Sequence, residues 1–101
     1  MKPSEVLSDE SKWCQWASAR GKSGRRVTPY GRSAVKWCLL GAIDRAFGEN
    51  EIRRVDFANS VFRLLGCNIA DWNDSPVRKF EQVRDVLLRA ERIQEIAGGT
   101  E

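Results

Sequence analysis

The chain has 101 residues, 42% of them hydrophobic, with 17 Lys and Arg against 14 Asp and Glu for a net charge of +3. That length suits one domain with a single core, and so mild a basic excess does not by itself call for a polyanionic partner. No apolar run approaches the roughly 20 residues of a membrane span, and the three cysteines, Cys14, Cys38 and Cys67, come without a histidine or a close CxxC pair. A tetrahedral zinc site would need a fourth ligand of another type. The odd cysteine count and the lack of a signal peptide argue against a secreted disulfide scaffold. The expectation is a cytoplasmic protein with reduced thiols, no metal, no cofactor and no membrane association.

Pro3 suits the first turn of a helix, where its missing amide costs nothing. The spacing predicts a first helix over about 4–19, with Val6, Leu7, Trp13, Cys14 and Ala17 along one face and Trp16 off it. A break near Ser8-Asp9 is the alternative, since Ser8 can itself cap a shorter helix. From 20 to 32 the chain reads as a loop of glycines, a proline and polar residues, long for a compact domain.

A second helix is predicted over 34–47. Ser33 is its N-cap, and Val35, Leu39, Ala42, Ile43 and Ala46 recur on one face. Trp37 and Cys38 widen that arc, Gly48 stands at the C-cap, and this helix is expected at the centre of the fold. A third helix over 51–65 turns Ile52, Val55, Val61, Phe62 and Leu65 inward, with Phe57, Ala58 and Leu64 widening the arc and Gly66 as its cap. CNIADWNDSPVRK reads as a non-periodic connection. A last helix over 79–96 has Phe80, Val83, Leu87, Ala90 and Ile93 in register, with Val86 beside them and Gly98-Gly99 as its end. The fold class expected is all-α, a single-domain four-helix bundle over 1–101 with a long basic loop between helices 1 and 2.

Three motifs carry a resemblance: Trp13-Cys14, the stretch AVKWCLLGA at 34–42, and Trp72-Asn73-Asp74. In that order they resemble a small uncharacterised helical domain family of bacteria and their phages. Its members share a WC pair, an AV(R/K)WCxxGA stretch and a WND turn, from about Trp13 to Ala90 here. The resemblance implies a helical fold and a bacterial or phage origin, and no assigned activity. Lys36 stands where that family usually has arginine. Lys79 stands where a threonine often caps the last helix, which shifts that cap to Asp74 or Ser75 or leaves none.

Charge distribution is the first functional cue. Residues 1–50 hold nine basic and five acidic side chains, residues 51–101 eight and nine. No acid lies between Glu10 and Asp44, a span with seven cations. A basic loop with interleaved glycines can wrap phosphates, with Trp16 or Tyr30 stacking on a base, although a charge run is ordinarily a solvated loop. An exposed tryptophan beside such a loop equally suits a protein-binding hot spot. The Gly21-Lys22-Ser23 triplet is not a nucleotide-binding loop, since its first glycine would fall at Trp16 and no strand precedes it. Cys14 and Cys38 read as core residues, with no histidine to activate a thiol. Trp72-Asn73-Asp74 reads as a structural turn rather than a base or metal ligand, Asn and Asp capping the helix that follows. Trp13, Trp37 and Trp72 are expected to meet in one aromatic cluster.

The function expected is therefore a non-catalytic cytoplasmic binding protein with a macromolecular partner. That partner is expected to be a protein met by Trp16, Arg20, Lys22, Arg25, Arg26, Tyr30 and Arg32. A phage-type inhibitor of a bacterial defence complex is the concrete version. Direct nucleic-acid binding by the loop 20–32 is the alternative, and an enzyme using Cys38 or Asp74 the third class.

Overall fold

The computed structural model describes residues 1–99. Five α-helices and a two-stranded antiparallel sheet make up the fold: α1 (Pro3–Val6), β1 (Ala19–Arg20), β2 (Lys36–Trp37), α2 (Leu39–Phe47), α3 (Glu51–Leu65), α4 (Ile69–Asn73) and α5 (Phe80–Gly99), with a 3-10 turn at Glu10–Lys12. This corrects the expected all-α four-helix bundle. The fold is a mixed one, rich in helix, in which residues 13–38 form short strands, bridges and turns rather than helix.

The predicted helix over 4–19 fails after its first turn. Asp9 accepts the Ser11 amide at 2.9 Å and starts the 3-10 turn, a local bond of the kind that competes with helix. Trp13 and Cys14 are then extended, the Cys14 amide donating to the Trp37 carbonyl at 3.0 Å. Val6, Leu7 and Cys14 are buried all the same, so the helical spacing marked core residues without marking helix. The second predicted helix begins late for a similar reason. Residues 34–38 are spent on β2 and its flanks, where Ala19 pairs with Trp37 and Arg20 with Lys36. Val35, expected inward, is exposed. The N-cap is Cys38 rather than Ser33, its Sγ accepting the Gly41 amide at 3.2 Å. Gly41 is required there: a Cβ would lie 1.9 Å from the Ser18 carbonyl oxygen.

Helix α3 has the predicted bounds, and Asn50 caps it by accepting the Arg53 amide at 3.2 Å. Its buried face is only partly the expected one. Val61 and Phe57 are buried and Ala58 and Leu65 pack on the core as expected, joined by Ser60, while Ile52, Val55, Phe62 and Leu64 lie outside. Helix α4 falls in the stretch read as connection, started by Asn68 accepting the Asp71 amide at 3.0 Å. Helix α5 buries Phe80, Val83, Leu87 and Ala90 as expected, though not Ile93. Gln82 reaches back to accept the Lys79 amide at 2.9 Å, so the helix start is satisfied without Asp74 or Ser75. The expected stop at Gly98-Gly99 coincides with the last described residues.

The core gathers Leu7, Leu39, Ile43, Phe57, Val61, Val83 and Leu87 from α2, α3 and α5 and the turn after α1. Polar bonds tie the N-terminal segment to α5. Buried Glu91 accepts both the amide (2.8 Å) and the hydroxyl (2.6 Å) of Ser4. Arg84 donates to the carbonyls of Leu7 and Ser8.

Candidate functional site

The stretch read as a long basic loop is a folded hairpin. From β1 the chain turns at Gly21–Gly24, with the Gly21 amide donating to the Arg25 carbonyl and the Gly24 amide to the Gly21 carbonyl, both at 2.9 Å. It returns so that Arg26 bridges Arg20 and the Val27 amide reaches the Ala19 carbonyl at 3.1 Å. β1 thus has a neighbour on either side, this return segment and β2. A second turn follows, its Gly31 amide donating to the Thr28 carbonyl at 3.2 Å. Arg45 of α2 ties that turn down by donating to the carbonyls of Pro29 (3.2 Å) and Gly31 (3.1 Å), and the Trp37 indole N–H joins it on Pro29 at 3.0 Å.

Between the two turns lies a groove of about 370 Å³ lined by Lys22, Ser23, Arg25, Arg32, Ser33 and Val35. Its lining holds three cations, two hydroxyls and no acid. Among the described residues, the ion pairs join Lys2 to Glu95, Arg54 to Asp44 and Glu51, and Arg89 to Asp85. Lys22, Arg25, Arg26 and Arg32 take part in none of them, and all four side chains are exposed. Their positive charge is therefore uncompensated locally.

The other expected contact residues are placed differently. Arg20 is half-buried and structural, donating to the Gly24 carbonyl at 2.8 Å and the Gln15 carbonyl at 3.1 Å. Tyr30 is exposed and away from the groove, its hydroxyl accepting from Arg54 at 3.2 Å. Trp16 is 59% exposed and lies outside the groove. Its φ of 68° is a left-handed conformation that a bulky residue rarely adopts. Asp74 holds it there by accepting the Trp16 amide at 2.8 Å.

The Trp72-Asn73-Asp74 motif is structural, but its partners are distant in sequence rather than in the next helix. Asn73 is fully buried. Its Oδ1 accepts the Trp13 indole N–H (2.8 Å) and the Leu39 amide (3.1 Å), and its Nδ2 donates to the Cys14 carbonyl (3.2 Å) and Asp74 Oδ1 (2.9 Å). Its own carbonyl accepts from Gln15 at 2.9 Å. The two tryptophan-cysteine motifs are thus joined through one asparagine. The tryptophans do not form the expected cluster: Trp13 packs on Phe80, Trp37 lies under Arg45, and Trp72 lies under Arg78 at 3.7 Å.

Neither Cys14 nor Cys38 has the setting of a nucleophile. Burial pushes the Cys14 thiol up to about 11, with Cys38 nearby adding to the effect. Burial likewise raises Cys38, whose sulfur caps α2. A thiol held protonated attacks poorly. Asp74 Oδ1 is engaged by the Trp16 amide and the Asn73 amide group. Among the described residues no group of three His, Cys, Asp or Glu side chains could hold a metal ion, and no helix is long and apolar enough to cross a membrane.

The asparagine hub showed only as a turn in the sequence, because nothing local reveals which distant amides an asparagine will meet. No curated protein and no solved structure matches this chain. Residues 3–93 do match a family of unknown function, DUF6197, which takes in all three tryptophan motifs and the whole basic hairpin. The chain therefore belongs to the DUF6197 family.

Proposed function

We propose that this chain is a non-catalytic binding protein of the cytoplasm that sets its basic hairpin against an acidic surface of a macromolecular partner, a protein in the first instance. The observation that carries this reading is the groove in which Lys22, Arg25 and Arg32 converge without an acid among them. Arg26 extends the charge along the return strand. Arg20 acts by shaping the hairpin, and Trp16 offers an aromatic contact at its base. Buried, protonated thiols at Cys14 and Cys38 also favour a binding role over a catalytic one. In its most concrete form the partner is a bacterial defence complex and the chain a phage-type inhibitor. Support for that form comes from the resemblance carried by the tryptophan motifs.

Direct nucleic-acid binding is the second reading, and exposed Trp16 favours it, because an exposed aromatic ring is a platform on which bases stack. Fluorescence anisotropy separates the two. Labelled polyglutamate and labelled single- and double-stranded nucleic acid are titrated at rising salt, with the wild type and with an Arg25→Glu/Arg26→Glu/Arg32→Glu variant. The protein-partner reading expects salt-sensitive polyglutamate binding that the variant loses, with nucleic acid held no more tightly. Tighter nucleic-acid binding with a steep salt slope would put the second reading first. No binding of any probe at low salt would refute both.

A further inference from the structure

Helix α3 carries an apolar stripe on its solvent side. Ile52 is 83% exposed, Val55 47% and Phe62 51%, with exposed Asn59 between the last two. Positions 52, 55, 59 and 62 alternate steps of three and four, the spacing by which one helix seats against another. The core needs none of them, since Phe57, Ser60 and Val61 face inward from the opposite side.

The stripe is flanked by charges in a particular order. Asp56 follows Val55 and Arg63 follows Phe62, both are exposed, and neither belongs to an ion pair among the described residues. Val55 and Phe62 lie seven residues apart, as do Asp56 and Arg63, and both pairs straddle Asn59. A second α3 laid antiparallel on the first, with a two-fold axis beside Asn59, sets Val55 of each copy against Phe62 of the other. The same operation sets each Asp56 beside the other copy's Arg63, opposite charges both times. It also brings the two Asn59 amides together, each able to donate and accept. In a parallel pairing Asp56 and the other copy's Arg63 would fall on opposite sides of the contact, because both sit on the same flank of the stripe, and these opposite charges would not meet. The face is complementary to itself in one orientation, as an isologous contact requires.

We propose that a second copy of this chain covers the face, so that the protein associates through α3 as an antiparallel two-fold dimer. The inference is independent of the hairpin. Analytical ultracentrifugation of the full chain from about 1 to about 200 micromolar tests it, a range in which micromolar association is resolved. The wild type is expected to rise toward twice its 11.5 kDa mass. Phe62→Glu is expected to stay monomeric with an unchanged circular dichroism spectrum. Asp56→Arg and Arg63→Asp are each expected to weaken association about tenfold or more by setting like charges together. Their combination is expected to restore it, because the opposite pairs re-form with signs exchanged. A wild type that is monomeric throughout would overturn the proposal. So would a dimer that survives Phe62→Glu, or a combined variant as weak as either single one.

Discussion

Replacing Asn73 by alanine removes a side chain that holds three separate segments together, and the cost follows from what it leaves behind. All four hydrogen-bonding positions of the carboxamide are used, by Trp13, Leu39, Cys14 and Asp74. The Leu39 amide belongs to the first turn of α2 and has no partner within the helix, so Asn73 caps that helix from outside. The Trp13 indole is only partly buried, and water can replace its lost partner. The Leu39 amide and the Cys14 carbonyl belong to buried residues. Two orphaned groups at about 1–3 kcal/mol each, with the small cavity added, give a loss of about 3–5 kcal/mol. Against a total stability of about 5–15 kcal/mol for a domain, that is severe. Asn73→Asp separates shape from chemistry. It keeps the acceptor for Trp13 and Leu39 but turns a carboxylate oxygen toward Asp74 Oδ1, which lies 2.9 Å from the nitrogen it replaces. Burial and that neighbour raise the introduced carboxyl above its unfolded value, so the folded state binds the extra proton. The variant therefore loses stability as pH rises through the raised value and recovers it as pH falls. Urea unfolding followed by tryptophan fluorescence at pH 5 and pH 7.5 measures both variants. An Asn73→Ala loss below about 1 kcal/mol would refute the reasoning, as would an Asn73→Asp protein as stable as the wild type at the higher pH.

Two further predictions concern the packing around that hub. With the Cys14 thiol at about 11, about one in a thousand molecules carries a Cys14 thiolate at pH 8. Iodoacetamide should therefore label exposed Cys67 well before Cys14 or Cys38. Mass spectrometry of the folded protein reads the order, and rapid labelling of Cys38 would revive a catalytic role for it. Gly41→Ala puts a methyl group 1.9 Å from the Ser18 carbonyl oxygen, where backbone must move. A loss of about 2–4 kcal/mol is expected from urea unfolding, and a loss below about 0.5 kcal/mol would mean that α2 and the Ser18 segment are not closely apposed.

How much of this was legible depended on where the decisive contacts lie. Helices α3 and α5 were within reach of the sequence because their signals are local: Gly66 at the end of the first, and a run of apolar residues at helical spacing in the second. The face that α3 buries was legible only in part: Val61, Phe57 and Leu65 were rightly expected inside. Ile52, Val55 and Phe62 also form a stripe on paper, and the structure leaves it outside. The choice was made by packing against α2 and α5, which a helical wheel does not contain. The stretch from Trp13 to Trp37 failed for a related reason. Its apolar residues do enter the core, but as extended chain, since the Trp13 indole, the Cys14 amide and the Ser18 carbonyl find partners on Asn73, Trp37 and Cys38. Long-range hydrogen bonds overrode local propensity. Trp37 was rightly expected inside, whereas the tryptophans take other ring partners, Phe80 for Trp13, Arg45 for Trp37 and Arg78 for Trp72.

The same long-range bonds bear on the basic residues. Had residues 20–32 been a free loop, a partner would have had to order them at about 1–2 kcal/mol per residue, and the charge would have been spread over many conformations. Instead Arg20 closes the hairpin with its two ends, Arg45 and Trp37 fasten the following turn, and Gly21 lies against the Ser33 carbonyl, a Cβ there being only 3.3 Å from it. Two arginines are thus committed to backbone carbonyls, so that the backbone positions of Lys22, Arg25 and Arg32 are held around one groove. Preorganisation of this kind lowers the cost of binding without adding a contact. It also divides the cations by role: reversing Arg25 or Arg32 removes charge from the groove, whereas losing Arg20 loosens the scaffold that presents it.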